Sequence, residues 1–327
     1  MNTEKSPEKI LDIVVFGATS FVGKLVCQYL VAQYGVDGEG GACTDERVKW
    51  GIGGRSELKL NELKKTLGED AELLPVVVAD AESEADLHSL CARSRVIVST
   101  VGPYALYGSP LVKVCVETGT DYCDLTGEPQ WICEMIRRYE SAAKDSGARI
   151  VHSCGFDSIP SDMGTWFLQQ HSESEYGETC SDVRMRVQTL KGGMSGGTVA
   201  SLLNLWKEEA TDPELQKIMA DSYSSCPADT ARNSGQRSIK RAEKDTDTQG
   251  WVGPFPMAPI NERMVLRSNA IAPYHENFCY NEAIVTGSGF AGAFGAKALA
   301  ATGPIGKFAL RFPSLIRLLE NQVLPKP

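Results

Sequence analysis

The chain has 327 residues, 42% of them hydrophobic and 23% charged, with a formal net charge of -9. This is the balance of a globular protein too long for one ordinary hydrophobic core, so two domains are expected. The acidic excess excludes nucleic-acid binding as the principal task, because a phosphate backbone demands a basic face.

The N-terminal segment MNTEKSPEKI lacks the apolar core of a secretory signal and the Arg-rich, acid-poor character of a transit peptide, so an intracellular, cytoplasmic protein is expected. The apolar run DIVVF at 12–16 reads as a buried parallel strand, and 21–34 follows a helical pattern with Phe21, Leu25, Val26, Tyr29 and Leu30 on one side. Residues 34–45 (YGVDGEGGACTD) read as an exposed loop insertion. A second strand at 48–52 leads into Gly53-Gly54-Arg55, and Ser56 can cap the next helix. Strands follow at 75–79, 96–100, 121–125 and 149–153, separated by helices at 82–91, 108–118 and 130–146. Alternation at this spacing specifies an α/β fold of the Rossmann type, a doubly wound parallel sheet, over residues 1–160, with the chain returning through 155–171.

The strongest chemical signal is Gly17-Ala18-Thr19-Ser20-Phe21-Val22-Gly23, set between the first strand and the first helix. Gly17 permits a tight turn out of the sheet, Gly23 lets the helix pack closely, and the intervening N–H groups face a pyrophosphate at the positive end of the helix. Ser20 stands where a middle glycine is commoner, and its hydroxyl is a candidate donor to phosphate. The second strand ends without a carboxylate; Arg55 and Ser56 there suit a 2′-phosphate, which selects NADP(H) over NAD(H). Arg55 as a solvated surface residue is the alternative. Asp80 either reaches the adenine amino group or caps the helix that begins near Glu82. Thr100, Val101, Gly102 and Pro103, at the end of the fourth strand, line the place of the nicotinamide ribose.

Tyr104 and Tyr107 are the nearest candidate proton donors, with packing at a domain junction as the alternative. Asp157 is the other candidate catalytic group, its carboxyl requiring burial beside Phe156 to hold a proton. No metal is expected, since His88, His152, His171 and His275 lie far apart without ligand-like neighbours. The ten cysteines form no CxxC pair and read as reduced and buried.

Six segments together resemble the saccharopine dehydrogenase-like oxidoreductases, the group that includes the mycobacterial trans-acting enoyl reductases. They are GATSFVGK (17–24), GGRS (53–56), STVGPYALYG (99–108), DYCDLTGEPQW (121–131), CGFDSIPSDMG (154–164) and KGGMSGGTVAS (191–201). The resemblance implies an NADP-type Rossmann domain, a second mixed α/β domain and reduction of a lipid-linked or otherwise apolar substrate. It also implies a link to glycolipid synthesis and association with lipid droplets, mitochondria or membranes. A true saccharopine-type amino-acid dehydrogenase and a nucleotide-holding adaptor without turnover are the competing functions.

The second domain is placed at 172–327 and expected to be C-terminally incomplete, the chain stopping at Val323-Leu324-Pro325-Lys326-Pro327. A helix is expected over 158–169. Residues 183–190 alternate and read as an antiparallel strand with Arg184 and Arg186 on one face. The glycine-rich run 191–198 reads either as an anion or carbonyl site or as a hinge before a helix at 199–209. Residues 222–248 read as a polar, exposed excursion. Weakly charged 281–310 is too diluted by glycine, Pro304 and Lys297 to span a membrane; a peripheral membrane or lipid-droplet contact through 284–312 is the expectation, with packing on the second domain as the alternative. The expected partners are a small-molecule or lipid substrate and a second copy of the chain in a homodimer.

Overall fold

The computed structural model describes residues 11–36, 47–190, 196–209 and 211–309. The chain divides into two compact units: Met1–Thr126 with Glu134–Cys154, and Gly127–Cys133 with Gly155–Pro327. The break after Cys154 falls ahead of the expected boundary at 160, because the helix expected to return the chain packs within the second unit.

In the first unit β1 (Leu11–Phe16), β2 (Trp50–Gly54), β3 (Val76–Val78), β4 (Ser94–Ser99), β5 (Asp121–Asp124) and β6 (Ile150–Val151) form one parallel sheet in the order β3-β2-β1-β4-β5-β6. The helices α1 (Phe21–Tyr34), α2 (Glu57–Leu67), α3 (Glu84–Arg93), α4 (Tyr104–Tyr107), α5 (Ser109–Thr118) and α6 (Pro129–Ser146) connect them. This is the doubly wound α/β fold that the alternation specifies, with the strand order reversing between β1 and β4. Trp50, Ile52, Leu60, Leu63, Cys27 and Leu30 fill part of its core. Register brings the strand ends level: Phe16 pairs with Gly53 and with Ser99, and Ser99 with Asp124. Cys123 pairs with Val151, so Asp124 and His152 are next in register.

The second unit contains α7 (Ile159–Tyr176), β7 (Asp182–Val187), α8 (Gly196–Glu209), α9 (Pro213–Ala220), β8 (Glu243–Lys244), β9 (Trp251–Pro254), α10 (Ala258–Ile271), β10 (Cys279–Gly287) and α11 (Gly289–Ala309). Its sheet has the order β7-β10-β9-β8. β7 pairs with β10 in parallel, not antiparallel as expected. Alternation shows that a strand has one wet face; it carries no information on the direction of a partner met almost a hundred residues later. Arg184 and Arg186 are spent on acidic partners, Asp182 and Asp247 for the first and Asp245 for the second. The polar stretch 222–248 is not simply exposed either. Tyr223 and Ile239 are buried in two core clusters, and Arg232–Asp221 and Arg237–Glu243 ion pairs tie the stretch down. Of the glycine-rich run, 191–195 lie outside the described residues, as do most of 34–45 and all of 310–327.

Candidate active site

The phosphate loop is built from the end of β1. Gly17 adopts φ +83°, and the amides of Gly17 and Ala18 both donate to the Gly53 carbonyl, at 3.0 and 3.2 Å. A Cβ on Gly23 would stand 2.4 Å from the Gly17 carbonyl oxygen, so only glycine lets α1 rise this close to the turn. Among the described residues the amides of Thr19, Phe21 and Val22 make no hydrogen bond. Three unpaired N–H groups around the start of a 14-residue helix form an anion cradle, and a dinucleotide pyrophosphate fits it.

Ser20 takes a different role from the one expected. Its Oγ accepts from the Gly23 amide at 2.9 Å as the N-cap of α1, and it lies 3.0 Å from Thr100 Oγ1. Thr100 Oγ1 in turn lies 2.8 Å from the Gly17 carbonyl and 3.2 Å from that of Phe16, both pure acceptors. The Thr100 proton therefore goes to a carbonyl and the Ser20 proton to Thr100, which leaves Ser20 no proton for phosphate. The pair clamps the phosphate loop to the end of β4.

Arg55 is exposed directly beyond β2 and makes no ion pair or hydrogen bond among the described residues, so its guanidinium is available to a 2′-phosphate. Ser56 caps α2 by accepting from the Lys59 amide at 3.4 Å, which leaves its own proton uncommitted in that bond. Asp80 resolves toward the local role: Oδ1 accepts from the Glu82 amide at 3.0 Å, while Ser83 supplies the cap of α3. Val101 and Pro103 are half-buried and Gly102 exposed beyond β4.

The two expected catalytic groups stand in different surroundings. Tyr104 is buried, and its hydroxyl donates to the Ser99 carbonyl at 3.0 Å and accepts from the Leu125 amide at 3.5 Å. It ties the ends of β4 and β5 together. Asp157 is exposed, and Phe156 beside it is 85% exposed, so the burial its role required is missing. Tyr107 is also exposed.

Sequence reasoning missed a buried carboxylate–imidazole pair at the carboxyl edge of β5 and β6. His152 Nδ1 lies 2.7 Å from Asp124 Oδ2, with the two side chains 7% and 0% exposed. A carboxylate only accepts, so Nδ1 carries the proton and donates. Asp124 Oδ1 also accepts from the Thr126 and Ser153 amides, each at 3.0 Å. Ser153 reaches this position with φ 60°, which a side chain bearing Cβ rarely adopts, and its Oγ donates to the Thr126 carbonyl at 2.8 Å. The Tyr122 ring meets the imidazole edge-on at 5.9 Å, and burial, reinforced by the Asp124 charge, pushes its phenol well up. The partners are 28 positions apart, which hid them from a search for short ligand spacings. His88 likewise gains neighbours, Glu84 and Glu117, but on the exposed surface, where Lys113 already sits 2.8 Å from Glu84 and 3.7 Å from Glu117.

The second unit holds its own buried acids. Tyr280 Oη donates to Glu282 Oε1 at 2.5 Å and Asn261 Nδ2 to Oε2 at 3.0 Å. Ser238 donates to Glu262 Oε2. Burial pushes the Glu262 carboxyl up to about 7 and raises that of Glu282. This network bonds α10 to β10.

Residues 13–151 match the family described as saccharopine dehydrogenase NADP binding domain. The trans-acting enoyl reductase of Mycobacterium tuberculosis strain H37Rv is 35% identical over 331 residues, covering 98% of this chain and 77% of that protein. That of Mycobacterium ulcerans strain Agy99 is 34% identical over 336 residues, with coverage of 98% and 77%. A further Mycobacterium tuberculosis relative, provisionally given the same name, is 38% identical over 287 residues, 85% of this chain; the chain spans 65% of its length. Among solved structures, apo saccharopine dehydrogenase (L-Glu forming) from Saccharomyces cerevisiae is similar with a TM-score of 0.41 and 15% identity, over 61% of this chain and 41% of that one. The phosphate loop, the family match and the mycobacterial relatives place the chain in the saccharopine dehydrogenase-like family of oxidoreductases, with the trans-acting enoyl reductases among its relatives. Its cofactor is NADP(H).

Proposed function

We propose that this protein uses NADPH to reduce an enoyl or carbonyl group of a lipid-linked, apolar substrate. The observation that carries the reading is the anion cradle of Thr19, Phe21 and Val22 with Arg55 unpaired at the end of β2. These residues would hold the pyrophosphate and the 2′-phosphate of NADP(H). The enoyl part draws support from relatives named trans-acting enoyl reductase that align along 98% of the chain. When bound, NADPH supplies the hydride. The chain's own residues bind and orient: the loop amides hold the pyrophosphate, Arg55 the 2′-phosphate, and the Ser20–Thr100 clamp keeps the loop against β4.

A lipid surface as the source of the substrate, and a place in glycolipid synthesis, belong to the same proposal. Phe290 and Phe294, one helical turn apart on α11, are 87% and 68% exposed, which favours contact with an apolar phase. Among the described residues no helix is long and apolar enough to cross a membrane. The test is NADPH oxidation by the purified chain against enoyl thioesters, carbonyl lipids and saccharopine-type imines. Turnover with an enoyl or carbonyl lipid is the expected result. Tight NADPH binding with no oxidation against any of the panel would leave a nucleotide-holding adaptor instead.

A further inference from the structure

We propose that His152 is the proton donor of this reductase and that Asp124 is its positioning residue; the inference rests on the reductase reading above. The first ground is place. Phe16, Ser99 and Asp124 end level across β1, β4 and β5, and His152 follows β6 in the next register position. With strands ~4.8 Å apart, the dyad stands ~10–15 Å from the phosphate loop along the carboxyl edge. Arg55 assigns the adenosine half to the β2 side, so the nicotinamide half extends over β4 and β5, toward the dyad.

The second ground is construction. Asp124 accepts from three donors: the imidazole and two backbone amides. With Nδ1–H given to Asp124, the ring orientation is fixed and the exchangeable proton of the imidazolium resides on Nε2. The left-handed Ser153 next to it is the kind of backbone outlier that accumulates at functional sites. The third ground is the fate of the alternatives. The Tyr104 proton is committed to Ser99, burial pushes the Tyr122 phenol well up, and Asp157 is exposed in the other unit.

Hydride adds to the β-carbon of an enoyl group, or to a carbonyl carbon, and the displaced π pair settles on the α-carbon and its conjugated oxygen, or on the carbonyl oxygen. The Nε2–H bond of His152 breaks and its proton joins that pair. The imidazole is left neutral and regains a proton from solvent; Asp124 stays ionised. Among the described residues, the titratable groups near the ring include Asp124 and Tyr122 from β5, with Cys123 on the same strand and Cys154, whose Sγ lies 3.9 Å from the His152 carbonyl. The Asp121–Arg149 pair lies at the opposite ends of these strands.

The decisive experiment needs no substrate. The imidazole resonance of His152, assigned by its loss in His152→Asn, is titrated by NMR in the full chain saturated with NADPH and then with NADP+. The positive nicotinamide ring of NADP+ beside the dyad is expected to lower the imidazolium midpoint relative to the reduced complex. Equal midpoints overturn the proposal and leave the reductase reading intact; that reading fails separately, by absence of NADPH oxidation across the substrate panel. With an accepted substrate, His152→Asn lowers kcat by about 10²–10⁴-fold at little change in KM. It also removes the fall in rate with rising pH, while NADPH affinity is retained. Asp124→Asn lowers kcat and shifts the pH profile. A His152→Asn enzyme with wild-type kcat and an unchanged pH profile sinks the assignment.

Discussion

Replacing Gly23 with alanine tests the phosphate loop at its tightest point. The added Cβ would lie 2.4 Å from the Gly17 carbonyl oxygen, 2.8 Å from Ala18 Cα and 2.9 Å from the Ala18 carbonyl carbon. All three atoms are backbone, so no side chain can swing away; either α1 or the loop must move by close to 1 Å. Overpacking of this kind costs about 1–3 kcal/mol of stability. The same movement displaces the Thr19, Phe21 and Val22 amides from the anion. Losing even one charge-assisted hydrogen bond costs about 1.5–3 kcal/mol, or roughly 10–150-fold in affinity. The control is Gly164→Ala in α7, where a Cβ meets nothing within 4 Å, so helix propensity alone favours it by about 0.5–1 kcal/mol. Urea unfolding measures stability, and fluorescence titration with NADPH measures binding. A folded Gly23→Ala protein with wild-type NADPH affinity would mean that the pyrophosphate binds elsewhere.

Arg55→Ala is expected to weaken NADPH binding by about 1.5–3 kcal/mol and to leave NADH almost untouched, since only NADPH carries the extra phosphate; equal losses in parallel titrations would remove Arg55 from the site. Ser20→Ala should cost about 1 kcal/mol through the lost cap of α1, while Ser20→Gly should cost a few tenths, as read from chemical denaturation. Glu262 sets a pH dependence with an unusual sign. Its folded carboxyl, at about 7, lies above the ordinary 4.5, so between those values the folded state binds more protons and stability falls as pH rises, by at most about 1.4 kcal/mol per unit. Glu262→Gln should flatten that slope in unfolding curves recorded from pH 4.5 to 8; an unchanged slope would assign it to another group.

Local signals determined the first unit. The run DIVVF, the Gly17–Gly23 spacing and the cap at Ser56 act over a few residues, where steric and hydrogen-bond preferences are strong, and they specified a parallel α/β sheet with an anion-binding turn. The place of Arg55 was legible for the same reason: it follows a strand directly, and a strand end has a known place in such a fold. What only the tertiary structure decided is where protons and charges are spent. Tyr104 could be a donor until the Ser99 carbonyl, five residues back but across a turn, takes its proton. Ser20 could face phosphate until Thr100, 80 residues on, accepts from it. β7 could run either way beside its neighbour until three helices carry the chain to β10. Asp124 and His152 meet because α6 lies between their strands and the register of β5 on β6 sets them side by side. Each of these depends on a pairing whose loop-closure cost is repaid by burial elsewhere in the unit, so no window of sequence contains it.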